Sequence, residues 1–376
     1  MKVLITCMRK GGWLIVVIVG AWLLAAGTAR AAEVNVTCAK KLTDAATLNA
    51  AISHSNVGDE ISIHGTCLIN ETVVLLGDRS YRGDSRTGTV IQQAGGANLA
   101  AMLASDSWNS DSIGTGDPIH IAHLTLDGNK AANAGTSALV IRSWLTVIED
   151  LQVESAPADG IQITNLSKNN VALQSSQVNG RISNCFVTGS GANGIHVLDT
   201  NNSVTDWDLL DSWIANSGAS AIMMDNAAGW KVRGNHLYAV GQNGIWANNC
   251  FATAIDGNYI EDFGDARGGG ETWYGIACTV QGGAASVITG NKIFHLTPEP
   301  GNNSFIYIGL TQVNYGTGVV NVVDNAIRGI ANSNNIGLSY QLGGGVGLVV
   351  LSASNDVVSV GSARIVGAGV TLANAW

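Results

Sequence analysis

Between Trp230 and Ile245 the chain reads Trp-Lys-Val-Arg-Gly-Asn-His-Leu-Tyr-Ala-Val-Gly-Gln-Asn-Gly-Ile. Trp230-Lys231-Val232-Arg233 alternates like a short strand, Asn235-His236-Leu237 starts a second after a turn, and Gly244-Ile245 opens a third. Strand side chains alternate between faces, so the Ile of Gly-Ile points inward and the residue after it points outward. A unit of three such short strands cannot bury its own apolar residues, so it has to stack on copies of itself.

The copies are present on both sides. The Asn step recurs as Asn184-Cys185-Phe186-Val187, Asn258-Tyr259-Ile260, Asn291-Lys292-Ile293 and Asn325-Ala326-Ile327, with Ser212-Trp213-Ile214 in the same role. The small-residue-Ile step recurs as Gly160-Ile161, Gly194-Ile195, Ala221-Ile222 and Gly275-Ile276. Ser212, Asn235 and Asn258 stand 23 residues apart, which is too short for a strand-helix-strand unit and right for one coil of a solenoid. Asn suits a corner repeated in every coil, because it tolerates tight turns and its amide can bond backbone or a stacked copy of itself.

On these residues the chain resembles the right-handed parallel β-helices of the pectate-lyase-like superfamily, from about Leu42 to Gln341. The resemblance, with the right-handed chirality of parallel crossovers, implies an all-β, right-handed parallel β-helix solenoid. Asp44 to Ile52 reads as a short amphipathic N-terminal capping helix with Thr43 or Asp44 as its N-cap, closing one end of the stack. Residues 32–341 are expected to form the β-helix domain. The Gly-rich stretch from Leu342 to Trp376 is expected to be a last rung, a cap or a strand used between subunits of a homo-oligomer.

Composition agrees with this reading. The 376 residues include 47 Gly but only 4 Pro, and 12% are charged, which describes a turn-rich β protein and neither a disordered nor a collagenous one. Lys2, Arg9 and Lys10 precede an apolar run from Trp13 to Ala26, and Ala29-Arg30-Ala31 follows as a small-x-small site. Residues 1–31 therefore read as a secretory signal peptide. Its removal leaves a net charge of −13, a poor match to nucleic acid or to an anionic membrane surface, so membrane contact is expected through the signal segment alone. A secreted chain, extracellular or periplasmic, can carry disulfides. Five cysteines remain, so at least one is unpaired. Cys38 and Cys67 bracket the helix and a strand-like Glu60 to His64 and are the preferred pair, while Cys185, Cys250 and Cys278 stay open. No spacing suits a zinc site, and the expected metal ligands are none.

Rung-length insertions show where loops rise from the solenoid. The steps from Asn258 to Asn291 and from Asn291 to Asn325 are 33 and 34 residues long. The first insertion gathers Glu261, Asp262, Asp265, Arg267, Glu271, Trp273 and Tyr274; the second carries His295, Glu299, Asn302, Asn303 and Phe305. Aligned rung by rung, Asp159, Asn193, Ser220, Asn243 and Tyr274 precede the small-Ile step, and Gln162, His196, Met223, Trp246 and Ala277 follow it. Carboxylate, amide, imidazole and indole together suit a sugar chain, which needs hydrogen-bond partners and flat apolar platforms. The expected substrate-binding residues are Asp159, Asn193, His196, Asn243, Trp246, Arg267, Trp273 and Tyr274.

Glycosidic hydrolysis needs one carboxyl as acid and another as base or nucleophile. The expected acid is Glu271 or Glu261, with Asp225 or Asp262 as its partner. The function read from these residues is a secreted carbohydrate-active enzyme that cleaves glycosidic bonds of a neutral polysaccharide or oligosaccharide, as a glycoside hydrolase or a fructotransferase-like enzyme. No cofactor is required, and Ca2+ is an option at the acidic loop. One alternative is a polysaccharide lyase that eliminates across a uronic acid using His196, Lys231, Arg233 or Arg267, for which the acidic chain supplies a poor field. The other is a non-catalytic glycan-binding β-helix. The family resemblance adds no catalytic motif, since Asn193-Gly194-Ile195-His196 differs in order from the Gly-His-Gly element of polygalacturonases.

Overall fold

The computed structural model describes residues 31–265, 270–296, 303–312 and 316–373. Arg267, Glu299, Asn302 and all of the expected signal segment except Ala31 lie outside the described residues.

Each rung is three short strands. In the central one these are Lys231–Arg233, His236–Val240 and Ile245–Cys250. Every strand pairs in parallel with its counterpart one rung away: Val232 faces Leu209 and Ile255, Leu237 faces Ile214 and Ile260, and Ile245 faces Ile222 and Ile276. The first two strands of successive rungs join into one continuous sheet around a corner, and the third strands form a separate 11-stranded stack from Val73–Leu75 to Ser362–Val366. This is the parallel β-helix the repeats called for.

Inward positions make the core. Ile161, Ile195, Ile222, Ile245, Ile276 and Ile308 form one fully buried column in register. Each such side chain contributes about 1.5–3 kcal/mol on burial, which no isolated rung could collect. Trp207 and Trp230, also fully buried, stack with ring centroids 5.7 Å apart, and their indole nitrogens donate to the carbonyls of Gln177 and Val204.

The corner between the first two strands is built from two residues. The first is left-handed in rung after rung: Asp150, Asn184, Asp211, Gly234, Gly257, Gly290 and Asp324 all have φ between 46° and 66°. Only Gly, and to a lesser degree Asn and Asp, enters that region without a penalty of about 1–2 kcal/mol. The second residue is the ladder amide. The backbone N–H groups of Ser212, Asn235, Asn258 and Asn291 each donate 3.0 Å to Oδ1 of the Asn one rung on. The Nδ2 groups of Asn235, Asn258 and Asn291 bond the next Oδ1 and also a carbonyl one rung back. One sequence assignment shifts by a residue here. Phe186 is in register with Trp213, so the ladder position of that rung belongs to Cys185, whose N–H donates to Ser212 Oγ, while Asn184 is the left-handed corner. Asn is at home in both places, so the pattern alone could not separate them.

The two ends differ. Helix Asp44–His54 covers the N-terminal end with Ala45, Leu48 and Ile52 fully buried. Thr43 is its N-cap but makes no side-chain capping bond, and the Asp44 carboxylate instead accepts from the N–H groups of Lys41 and Leu68. Cys38 and Cys67 form the preferred disulfide, Cys250 and Cys278 form a second between neighbouring rungs, and Cys185 is free and buried. Burial pushes the Cys185 thiol up to about 12, which leaves it inert. At the other end the strands Gly347–Ala353, Asp356–Val358, Ser362–Val366 and Val370–Ala373 continue the parallel register past Gln341, so this segment extends the coil. Val358, Ile365, Val366 and Leu372 are exposed there, where no further described rung stacks on them. Among the described residues no helix is long and apolar enough to cross a membrane.

Candidate active site

The outward positions of the third-strand stack follow one another in register as Gln162, His196, Met223, Trp246, Ala277 and Gly309. They form one outward-facing row along the solenoid. On one side runs the turn that leads into each third strand, and its residues bond from rung to rung. The backbone N–H and the Nδ2 of Asn193 both donate 3.0 Å to Asp159 Oδ1, the N–H of Ser220 donates to Asn193 Oδ1, Asn243 Nδ2 donates to Ser220 Oγ, and the N–H of Tyr274 donates to Asn243 Oδ1.

His196 is held from both sides. Its Nδ1 lies 2.8 Å from Asp159 Oδ2, contributed by the preceding rung, and its Nε2 lies 3.2 Å from Asp225 Oδ2, at the end of the strand in the following rung. Two carboxylates accept only, so both ring nitrogens carry hydrogen and the ring is an imidazolium. Burial works against that charge, but the hydrogen bonds and charges of Asp159 and Asp225 outweigh it and raise the His196 pKa to about 9. The two acids are not equivalent. Asp159 is 7% exposed and has both oxygens engaged, whereas the Asp225 side chain is 29% exposed and its Oδ1 has no protein partner among the described residues. Asp159 with Asn193 thus orients the ring, and Asp225 presents a carboxylate oxygen at the surface of this row.

Further along, Trp246 and Tyr274 meet edge to face with ring centroids 5.6 Å apart at 83°. Tyr274 lies over Gly309, where an added Cβ would come within 2.6 Å of its ring, so a residue without a side chain is needed beneath it. This face therefore carries a proton donor, a free carboxylate oxygen, amides and two aromatic side chains.

Several sequence-predicted residues stand elsewhere. Glu261 pairs across Tyr238 and Phe294 on the second-strand face, with its Oε2 3.9 Å from His236 Nε2, and so does not share a surface with His196. Asp262, 7% exposed with φ 48°, is a left-handed kink within strand Tyr259–Phe263, and its Oδ1 accepts from the N–H of Leu296. Glu271 is exposed just before strand Thr272–Val280, at the opposite end of the stack's strands from Asp225. Neither Glu271, Glu261 nor Asp262 is brought against Asp225, because Glu261 and Asp262 lie on a second strand and Glu271 lies at the opposite end of the third strands. Trp273 packs against the core and the Gly264 turn, on the other side of the strand from Tyr274. Asn243 and Ser220 serve as links of the turn ladder. His295 is buried: its Nε2 lies 2.8 Å from the Phe263 carbonyl and its Nδ1 2.9 Å from the Tyr307 hydroxyl, and burial lowers its pKa. Among the described residues no group of three or more His, Cys, Asp or Glu side chains could hold a metal ion.

A family model for the right handed beta helix region matches residues 143–360. The chain belongs to that family. The β-helix family match spans both His196 and Asp225. No curated protein matches this chain significantly. Among solved structures, the Azotobacter vinelandii mannuronan C-5 epimerase AlgE4 A-module superposes with a TM-score of 0.60 and 14% identity over 91% of this chain and 100% of that one. The catalytic domain of a GH87 alpha-1,3-glucanase, in complex with nigerose, gives 0.54 and 14% over 92% and 69%. The Dettilon tailspike protein gives 0.50 and 12% over 86% and 68%. At these identities the likeness is one of fold.

Proposed function

We propose that this right-handed β-helix protein is a secreted polysaccharide-acting enzyme that cleaves glycosidic bonds at the Asp159–His196–Asp225 cluster. The observation that carries the reading is the imidazolium gripped at both nitrogens, beside a carboxylate oxygen with no protein partner and on a face that includes Trp246. Similarly folded proteins named for mannuronan and for α-1,3-glucan support a polysaccharide as substrate. The acidic chain favours a neutral one.

In this mechanism His196 Nε2–H gives its proton to the leaving glycosidic oxygen. Asp225 stabilises the oxocarbenium-like sugar as the leaving group departs, and a water that enters in its place on the same face attacks the sugar and gives its proton to the now neutral His196 Nε2, so the site resets with one water added per bond cleaved. Asp159 and Asn193 position the ring without touching substrate. A second reading is elimination at a uronic acid, and one feature favours it: donor and carboxylate sit side by side, as removal of a proton and protonation of a leaving group on one sugar face would require.

The test incubates the chain from Ala32 with neutral glucans and fructans and with pectate and alginate, and weighs the products. Products heavier by one water per cleavage, with turnover lost about 10²–10⁴-fold in His196→Gln and Asp225→Asn, are expected. Unsaturated products without added water would establish the elimination reading instead. Intact substrates throughout would replace both with a binding role.

A further inference from the structure

Beyond Asp225 the third strands end in turns rich in amides, and these line a cavity of about 470 Å³ with Asn201, Asn202, Asn226, Asn249, Phe251 and Gln281 on its walls. That volume falls in the roughly 300–1,000 Å³ range of small-molecule sites. The rung period places three of these amides in a column: Asn249 Nδ2 lies 3.2 Å from Asn202 Oδ1 and 3.1 Å from Asn226 Oδ1. These bonds engage one end of each amide. Among the described residues Asn202 Nδ2, Asn226 Nδ2 and the Gln281 amide have no protein partner, and Asn249, 5% exposed, has a buried Oδ1 with none. Phe251 is 43% exposed at the same cavity, an apolar ring beside hydrogen-bonding groups. None of the described lining residues is charged.

From the charge-free lining, the open amides and the exposed ring together, we propose that this cavity is a subsite for a neutral sugar unit. The amides supply donors and acceptors to hydroxyl groups and Phe251 supplies a platform for the C–H face of the sugar ring. A carboxylated sugar would find no cation there to offset its desolvation. Asn226 directly follows Asp225, so the subsite adjoins the reactive carboxylate, and a glycan crossing the outward face at His196 extends into it. The inference rests on the reading of that cluster as the reactive centre for its role in turnover, but not for its ability to bind sugar.

The experiment titrates short neutral oligosaccharides (nigero-, laminari- and fructo-oligosaccharides) and short oligogalacturonates into the mature protein, into Phe251→Ala and into Gln281→Ala, with circular dichroism confirming the fold of each. At least one neutral series is expected to bind and the oligouronates are not. Phe251→Ala should weaken that binding tenfold or more and raise KM for longer substrates more than it lowers kcat. Gln281→Ala should weaken it several-fold. Unchanged affinity in both variants, or tighter binding of the uronates, overturns the subsite. If His196→Gln abolishes turnover while Phe251→Ala binds normally, the subsite fails and the reactive centre stands. If nothing is turned over but binding still depends on Phe251, the subsite stands and the catalytic reading fails.

Discussion

His196 keeps its proton because of what surrounds it. The free residue titrates near 6.5, and in the folded protein the value lies near 9. The folded state thus binds the proton more tightly, and the associated stability is fully present below pH 6.5 and is lost as pH rises through 9. The shift corresponds to on the order of 3 kcal/mol. Nuclear magnetic resonance of the imidazole should show a midpoint near 9, and denaturant midpoints should fall between pH 6.5 and 9; a midpoint near 6.5 would contradict the two-carboxylate grip. Asp159→Asn removes one carboxylate charge without removing its shape. It should lower the His196 midpoint and carry the alkaline limb of activity down with it, a movement that loss of packing alone would not produce.

Elements in this molecule are specified more by their corners than by their strands. Most strands of the central rungs are only three to five residues long, and what keeps them in register is the pair of a left-handed residue followed by a buried amide. Asn258 illustrates the energetics: its Oδ1 accepts from Asn235 and its Nδ2 donates to the Val232 carbonyl and to Asn291, all away from water. Asn258→Ala strands several of those groups and should cost about 3 kcal/mol. The check is the shift in denaturation midpoint against the exposed Asn334→Ala, which should lie within about 0.5 kcal/mol of the parent. The repeated Asn steps and the 23-residue period were visible in the sequence. The phase at Asn184-Cys185 was not, because a polar corner residue and a ladder residue look alike until the strand partner of Phe186 is known.

For the whole molecule, stability is expected to grade along the axis. Strands such as Lys231–Arg233 are bonded on both sides, the N-terminal end is covered by helix Asp44–His54, and the last strands, Asp356–Val358 and Val370–Ala373, have a single described neighbour each. Hydrogen exchange should therefore be slowest through the Ile195 to Ile288 rungs and fastest after Asp356. Replacing Cys38 and Cys67 by Ala opens a 29-residue closure under the helix and should cost about 3–4 kcal/mol, seen as faster exchange over Glu33–Ile69 with the central rungs little changed. Uniform exchange along the axis would mean that the solenoid unfolds as one unit.

By itself the sequence determined the coil, because period, alternation and corner chemistry are local and repeat: Gly-Ile steps, the Asn ladder, the capping helix and the Cys38–Cys67 pair could all be read in order. It also brought Asp159, Asn193, His196 and Trp246 to one face, since an outward position in one rung stays outward in the next. Only the tertiary structure decided which acids meet. Asp225 reaches His196 because it ends the strand one rung on, Glu261 faces elsewhere because it lies on a second strand, and the Asn202, Asn226 and Asn249 column lines one cavity with Phe251. Such distances depend on how rungs stack and where loops fold back, and a repeat pattern fixes the first far more tightly than the second.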